Sequence, residues 1–154
     1  MQTTQSLTLK ETLLLKDFYA QVNINAPVNQ VWRALVEWQR QGEWMALTRV
    51  TSSDLGADDS GIGTTIEAFT GIGPLGVLDK MKVTAWEPPH FCRVDHYGKI
   101  IKGIGEFRLV DLGSSTRFDW YEEIKAPKLI LALIKPFILV TVKYSLRKFA
   151  RTFN

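Results

Sequence analysis

A single cysteine, Cys92, occurs in 154 residues, so no disulfide can close within the chain and no thiolate metal cluster can form. A reducing cytoplasm is the compartment that suits such a chain. Histidine is nearly as scarce. His90 and His96 are the only two, and His90 stands beside a Pro-Pro turn. One usable imidazole makes a zinc or iron site unexpected, leaves no nucleophile–base–acid set to argue, and gives no cofactor to expect. Charge of one sign is also in short supply. A net charge of +3 is far below the footprint of a nucleic-acid binder, and the exposed strand positions mix both signs, so no nucleic-acid partner is expected. The opening MQTTQSLTLKETLLLKD has no basic n-region, and Leu13-Leu14-Leu15 is too short an apolar run for a signal peptide. GIGPLG, residues 71–76, lacks the Lys-Ser/Thr and the following helix of a phosphate loop.

What is present is enough for one ordinary domain. With 45% hydrophobic residues, a chain of this length buries roughly 70% of the surface it exposes when unfolded. Residues 1–11 are polar and read as a loosely held segment, and residues 12–154 as one domain. From Phe18 the pattern alternates: Phe18, Ala20, Val22 and Ile24 share one face of a half-buried strand. Asn25-Ala26-Pro27 breaks it, with Asn25 as a helix cap and Pro27 in the first turn. Val28, Val31, Trp32, Leu35 and Val36 then recur at helical spacing to about Trp38, and a second helical piece ends near Trp44. Six strands follow, over residues 47–53, 63–70, 78–86, 91–97, 103–112 and 116–125, parted by GADDSG, GIGPLG, EPP, GKIIK and GSS. After Ala126-Pro127 one helical segment runs to about residue 151, with Pro136 inside it as a kink.

The order β-α-α-β-β-β-β-β-β-α is an α+β antiparallel meander closed by one long helix. That helix, about 10 Å wide, cannot fill the concavity of a strongly curved seven-stranded sheet. A cavity between sheet and helix is the expected result.

Three stretches carry a resemblance to a known family. They are INAPVNQVWRALVEWQRQGEW (24–44), VTAWEPPHFCRV (83–94) and GEFRLVDLGSSTRFDWYEEI (105–124). Together they resemble the START-like superfamily labelled SRPBCC, which includes birch-pollen-allergen-like proteins and polyketide cyclases. The element order agrees over residues 18–152. The resemblance implies the helix-grip fold and the binding, transport or transformation of apolar ligands such as lipids, quinones or aromatic polyketides. A shared fold does not choose among these.

The hairpin turn fixes which residues face the cavity. A two-residue loop at Gly113-Ser114 sets Leu109 opposite Phe118, Phe107 opposite Trp120 and Gly105 opposite Glu122. The other face pairs Arg108 with Asp119 and Glu106 with Tyr121. On the preceding strand Cys92, Val94 and His96 point inward, and Asp95 could meet Arg108. Met81 and Val83 look inward from their strand, with Lys80 and Lys82 outward. The expected ligand-binding set is therefore Trp120, Phe118, Phe107, Leu109, Glu122, His96, Val94 and Met81. Trp32, Trp38 and Trp44 read as packing residues. His96 and Glu122 would stand roughly 9–10 Å apart at Cβ across Gly105, with room for a ligand atom or a water. Each admits a plainer reading. His96 can be solvated at the sheet end, and Glu122 can pair with a lysine such as Lys128. The leading function is binding or carriage of an apolar small molecule. The alternative is a cyclase or dehydratase for an aromatic polyketide, which needs several convergent polar groups, one of them titrating near neutrality.

The last helix is unusual. LILALIKPFILVTV, Leu129 to Val142, has Lys135 as its only charge and is apolar nearly all round, where one stripe would suffice. Lys135 and Pro136 interrupt it as a membrane span. The excess surface requires a homodimer partner, a membrane surface or a mobile-lid role. Lys143, Arg147, Lys148 and Arg151 lie beyond the apolar run instead of along it, which favours self-association or a lid over membrane contact.

Overall fold

In the computed structural model, which describes residues 13–154, the first strand, β1, is Leu13–Ile24, and from Phe18 its apolar residues alternate with more polar ones. The expectation for residues 1–11 lies outside the described residues. A tight turn follows β1, closed by the Ala26 N–H on the Ile24 carbonyl at 2.9 Å. Helix α1, Val28–Leu35, buries Val28, Val31, Trp32 and Leu35 on one face. Its cap is Pro27, and no side chain caps it. Asn25 therefore does not take the capping role: the turn at Ala26 places it two residues too early, and proline presets the entry geometry. A 3-10 helix, Trp38–Glu43, comes next.

Six further strands complete one antiparallel sheet. They are β2 Thr48–Ser52, β3 Thr65–Ile72, β4 Leu75–Glu87, β5 Phe91–Tyr97, β6 Lys102–Asp111 and β7 Thr116–Pro127. The curled sheet runs β1-β7-β6-β5-β4-β3-β2, and α2, Lys128–Arg151, lies in its grip. GIGPLG, expected as a separator, is mostly hairpin. Only Gly73-Pro74 turn, and Gly71 faces Gly76 across the ladder. The reason is steric: a Cβ at Gly71 would stand 2.1 Å from the Leu75 carbonyl oxygen, and Gly73 takes φ +57°, so two glycines and a left-handed turn let the strands pair to the tip.

The β6–β7 register is as the turn dictates: Leu109 faces Phe118, Phe107 faces Trp120 and Gly105 faces Glu122. Two outer ion pairs differ from expectation. Arg108 stands opposite Asp119, but Asp119 is held by Arg117 at 3.0 Å and by the Tyr19 hydroxyl at 3.1 Å. Arg108 instead lies 4.6 Å over the Phe91 ring. Asp95 does not reach Arg108, because the β5–β6 register sets Asp95 against Ile104 and Arg93 against Glu106. Arg93 and Glu106 form the ion pair, and Asp95 accepts from the Thr84 hydroxyl at 3.1 Å.

The main core packs α1, the 3-10 helix and the end of α2 onto the sheet. Trp32, Trp38 and Trp44 are buried there; Trp32 and Trp44 pack as expected, while Trp38 also lines the cavity. A smaller cluster of Ile124, Ala126 and Leu131, flanked by Ile130, Ile134 and Ile138, lies under the first half of α2. The cavity separates the two.

Candidate functional site

The inward faces of β4 to β7 and the first four turns of α2 enclose a cavity of about 310 Å³. Sheet alternation supplies Asp79 and Met81 from β4, Val94 from β5, Phe107 from β6, and Trp120, Glu122 and Ile124 from β7. The roof is Ile130, Ile134, Ile138 and Thr141 of α2. Leu47 and Phe137 line the cavity yet are 60% and 67% exposed, so the mouth lies between them.

Of the residues expected to bind ligand, Trp120, Phe107, Glu122, Val94 and Met81 line this space. Phe118 and Leu109 do not. Both are almost fully buried beyond the cavity, where Phe118 packs on Phe107 and Phe149 at ring separations of 5.5 and 6.1 Å. The last turns of α2 descend onto that end of the sheet and fill it. His96 stands behind the wall at 5% exposure. It is not solvated at the sheet end, because β4 runs on past it and pairs with it through Met81.

One end of the cavity is polar. His96 Nδ1 donates to Asp79, with its two carboxylate oxygens at 2.8 and 2.9 Å. On its other side Nε2 lies 4.0 Å from Glu122 Oε1. The gap expected between His96 and Glu122 is closed by their own side chains reaching across Gly105. A Cβ at Gly105 would stand 3.1 Å from Val94 Cγ2, 3.4 Å from His96 Nε2 and 3.7 Å from Glu122 Oε1, so glycine is what allows the approach. Glu122 does not pair with Lys128, which faces solvent on α2. Asp79 is the member that the strand readings overlooked. The signal was available, since Asp79 shares the inward face with Met81 and Val83 on β4.

The electrostatics of this group follow from its burial. Desolvation raises the Glu122 carboxyl to about 7; the nearby His96 pulls it down, Asp79 pushes it up, and the Trp120 indole lowers it slightly. That indole stands outside good hydrogen-bonding geometry: Trp120 Nε1 and His96 Nε2 are both buried polar atoms without a partner among the described residues. Glu122 keeps 15% side-chain exposure, and it lines the cavity, so that exposure is toward the cavity. For His96, desolvation lowers the pKa, but the hydrogen bond to Asp79 and the charges of Glu122, Asp79 and Asp95 outweigh it, and the net shift is upward. Cys92, by contrast, is inert: burial alone pushes its thiol up to about 12.

Asp79 and Glu122 use opposite nitrogens of one imidazole, so they do not converge on a point where a metal ion could sit. No group of three or more metal-binding side chains occurs among the described residues. What the arrangement offers is a carboxyl poised between its two protonation states, backed by an imidazole that a second carboxylate orients.

A curled sheet gripping a long C-terminal helix over an internal cavity defines the helix-grip class. The comparisons place the chain within it: residues 16–154 match the family described as polyketide cyclase / dehydrase and lipid transport, and the chain belongs to that family. No curated protein matches it by sequence. Among solved structures it is similar to the Zhui aromatase/cyclase of a Streptomyces species, with TM-score 0.73 and 12% identity over 90% of this chain and 93% of that one. It is similar to norcoclaurine synthase of Thalictrum flavum in complex with dopamine and hydroxybenzaldehyde, with TM-score 0.65 and 12% identity over 99% and 94%. A START superfamily protein of Mycobacterium smegmatis matches with TM-score 0.70 and 11% identity over 90% and 99%. At such identities the likeness is one of fold.

Proposed function

We propose that this chain binds an apolar small molecule in the cavity and holds its one polar group, a carbonyl or hydroxyl, at the Glu122 end. The observation that carries this reading is the asymmetry of the cavity. Its walls are mainly aliphatic and aromatic, with Gln41, Thr48, Thr70, Thr141 and Ser145 set among them, while at one end the Glu122 carboxyl keeps 15% exposure toward the space and its nearest cation, His96 Nε2, stands 4.0 Å away. A bound hydroxyl or carbonyl oxygen there would give the desolvated carboxyl a hydrogen-bond partner, the hydroxyl as donor to the carboxylate or the carbonyl as acceptor from the acid. Gentle recovery of the protein and native mass spectrometry should reveal a co-purifying apolar ligand. Glu122→Gln should change affinity for hydroxylated ligands more than for hydrocarbons of equal size. Equal changes for both would remove the polar-anchor role.

A second reading, catalysis of the cyclase or dehydratase type, is favoured by the Asp79–His96–Glu122 group. Near neutral pH Glu122 is present in both forms. As a carboxylate it could take a proton from the carbon next to a ligand carbonyl, and as an acid it could return one to a departing hydroxyl. Bound aromatic ketones in heavy water should then exchange their α-hydrogens, as read by NMR. Exchange should be lost in Glu122→Gln and slowed in Asp79→Asn. A ketone that binds without exchanging leaves binding alone.

A further inference from the structure

The outer face of α2 is apolar, and nothing covers it among the described residues. Its most apolar 18-residue window has a mean hydropathy of 1.8, yet only 17% of that window is buried. Leu129, Leu133, Val140 and Tyr144 are all exposed, and at 3.6 residues per turn they form one stripe. Phe137, at the cavity mouth, sits on its edge. The helix also carries Lys128, Lys135, Lys143, Arg147, Lys148 and Arg151 and no acidic residue. Lys143 adjoins the stripe, Lys128 and Lys135 stand farther round the helix with exposed Ala132 and Pro136 between them and it, and the other cations end it. The cations thus stand at the side of the apolar run as well as beyond it, which removes the reason to prefer self-association.

A second apolar element stands beside this stripe. Ile72 and Leu75, at the tip of the β3–β4 hairpin, are exposed. Gly71 and Gly73 of that hairpin, Leu47 and Arg49, and Tyr144 and Lys148 of α2 wall one shallow cleft next to the mouth.

We propose that this face docks on an anionic lipid bilayer, with α2 lying in the plane of the interface and the cavity mouth turned toward the membrane. An exposed apolar face with lysines at its side and a cationic cluster at its end is the composition of an interfacial helix. Spanning is excluded by packing: Leu131, Leu146 and Phe149 are buried against the rest of the fold, and Lys135 and Pro136 fall mid-helix. A second copy of the chain fits poorly. Pairing α2 with itself brings cations together with no acid on either helix to offset them. Docking goes beyond ligand binding and does not depend on it, since it needs no occupant in the cavity.

Flotation of the full chain with vesicles tests this. Vesicles of phosphatidylcholine containing phosphatidylglycerol should carry the protein upward, and pure phosphatidylcholine should bind it roughly tenfold or more weakly. Binding should weaken with added salt. The double variant Leu133→Ser/Val140→Ser alters two exposed side chains outside the cavity and should bind anionic vesicles about tenfold or more weakly, with an unchanged circular dichroism spectrum. Lys135→Glu/Lys143→Glu should lose the preference for anionic lipid. Failure to float with anionic vesicles overturns the proposal. So does undiminished flotation of the serine variant, which would mean charge attraction without insertion. A dimer in light scattering that the serine variant dissolves, with vesicles ignored, would assign the face to a second copy.

Discussion

The inward faces of β6 and β7 follow one alternation along their length, yet one end of the interior is solid and the other hollow. At the solid end Phe118, Leu109 and Phe149 lie beneath α1, the 3-10 helix and the last turns of α2, with Phe107 at the boundary between them and the cavity. At the hollow end the first turns of α2 present Ile130, Ile134, Phe137, Ile138 and Thr141 to the cavity, and Glu122 faces the space they leave. The sheet is the same; the cover differs. Where cover is complete, shape complementarity leaves no place for an unpartnered charge. Where it is thin, a carboxyl can remain buried, raised in pKa and open to a ligand.

The difference can be tested by substitutions at matched depth. Phe118→Ala at the solid end should cost about 4 kcal/mol and leave affinity per folded molecule unchanged, as read by urea denaturation and ligand titration. Trp120→Ala lies on the boundary, with Phe107 at a ring separation of 4.9 Å on one side and the cavity on the other. Its loss should be smaller, about 3 kcal/mol, and accompanied by weaker ligand binding. Equal losses at both positions with binding intact would mean that the wall at Trp120 is core.

Glu122 supplies a pH test. Folded, it keeps its proton up to about pH 7, whereas its ordinary value is 4.5. The folded state therefore binds more protons between these values. The stabilising contribution is full below about 4.5 and is lost as pH rises through about 7. His96 acts in the same direction: raised above its ordinary 6.5, it contributes fully below that value and less as pH rises through its folded pKa. Glu122→Gln should flatten the fall in stability from acid to neutral pH and gain on the order of 3 kcal/mol at pH 8, the attraction to His96 being already contained in the net shift. An unchanged slope would mean that Glu122 is hydrated. The smallest effect belongs to the cavity roof. Ile134→Trp should change stability by less than about 1 kcal/mol, because there is space to receive the ring, while uptake of an apolar fluorophore such as ANS falls sharply. A large loss of stability there would mean that the hollow end is already full.

Much of the fold was legible because its causes are local. Two-residue periodicity placed Phe107, Trp120 and Glu122 on one face, and the Gly113-Ser114 turn set their partners residue by residue. The change to helical period after Ala126-Pro127 located α2 to within a residue. Asn25 was misread because a cap-forming side chain is a preference that the neighbouring Pro27 overrode.

The candidate site was only half legible. Alternation put His96, Glu122 and Gly105 on the inner face, and glycine announced a gap. What fills that gap depends on how long side chains reach across it, which spacing does not specify. Asp79 lay on the correct face but two strands away from Glu122's neighbour β6, so only the β4–β5 register brought it to His96 Nδ1. The strands, their inward faces and the excess of apolar surface on α2 follow from period and composition alone. Where α2 meets the sheet closely and where it stands off is set only by the folded packing. Those distances depend on the packing of many side chains at once, and they separate Phe118 in the core from Glu122 in the cavity.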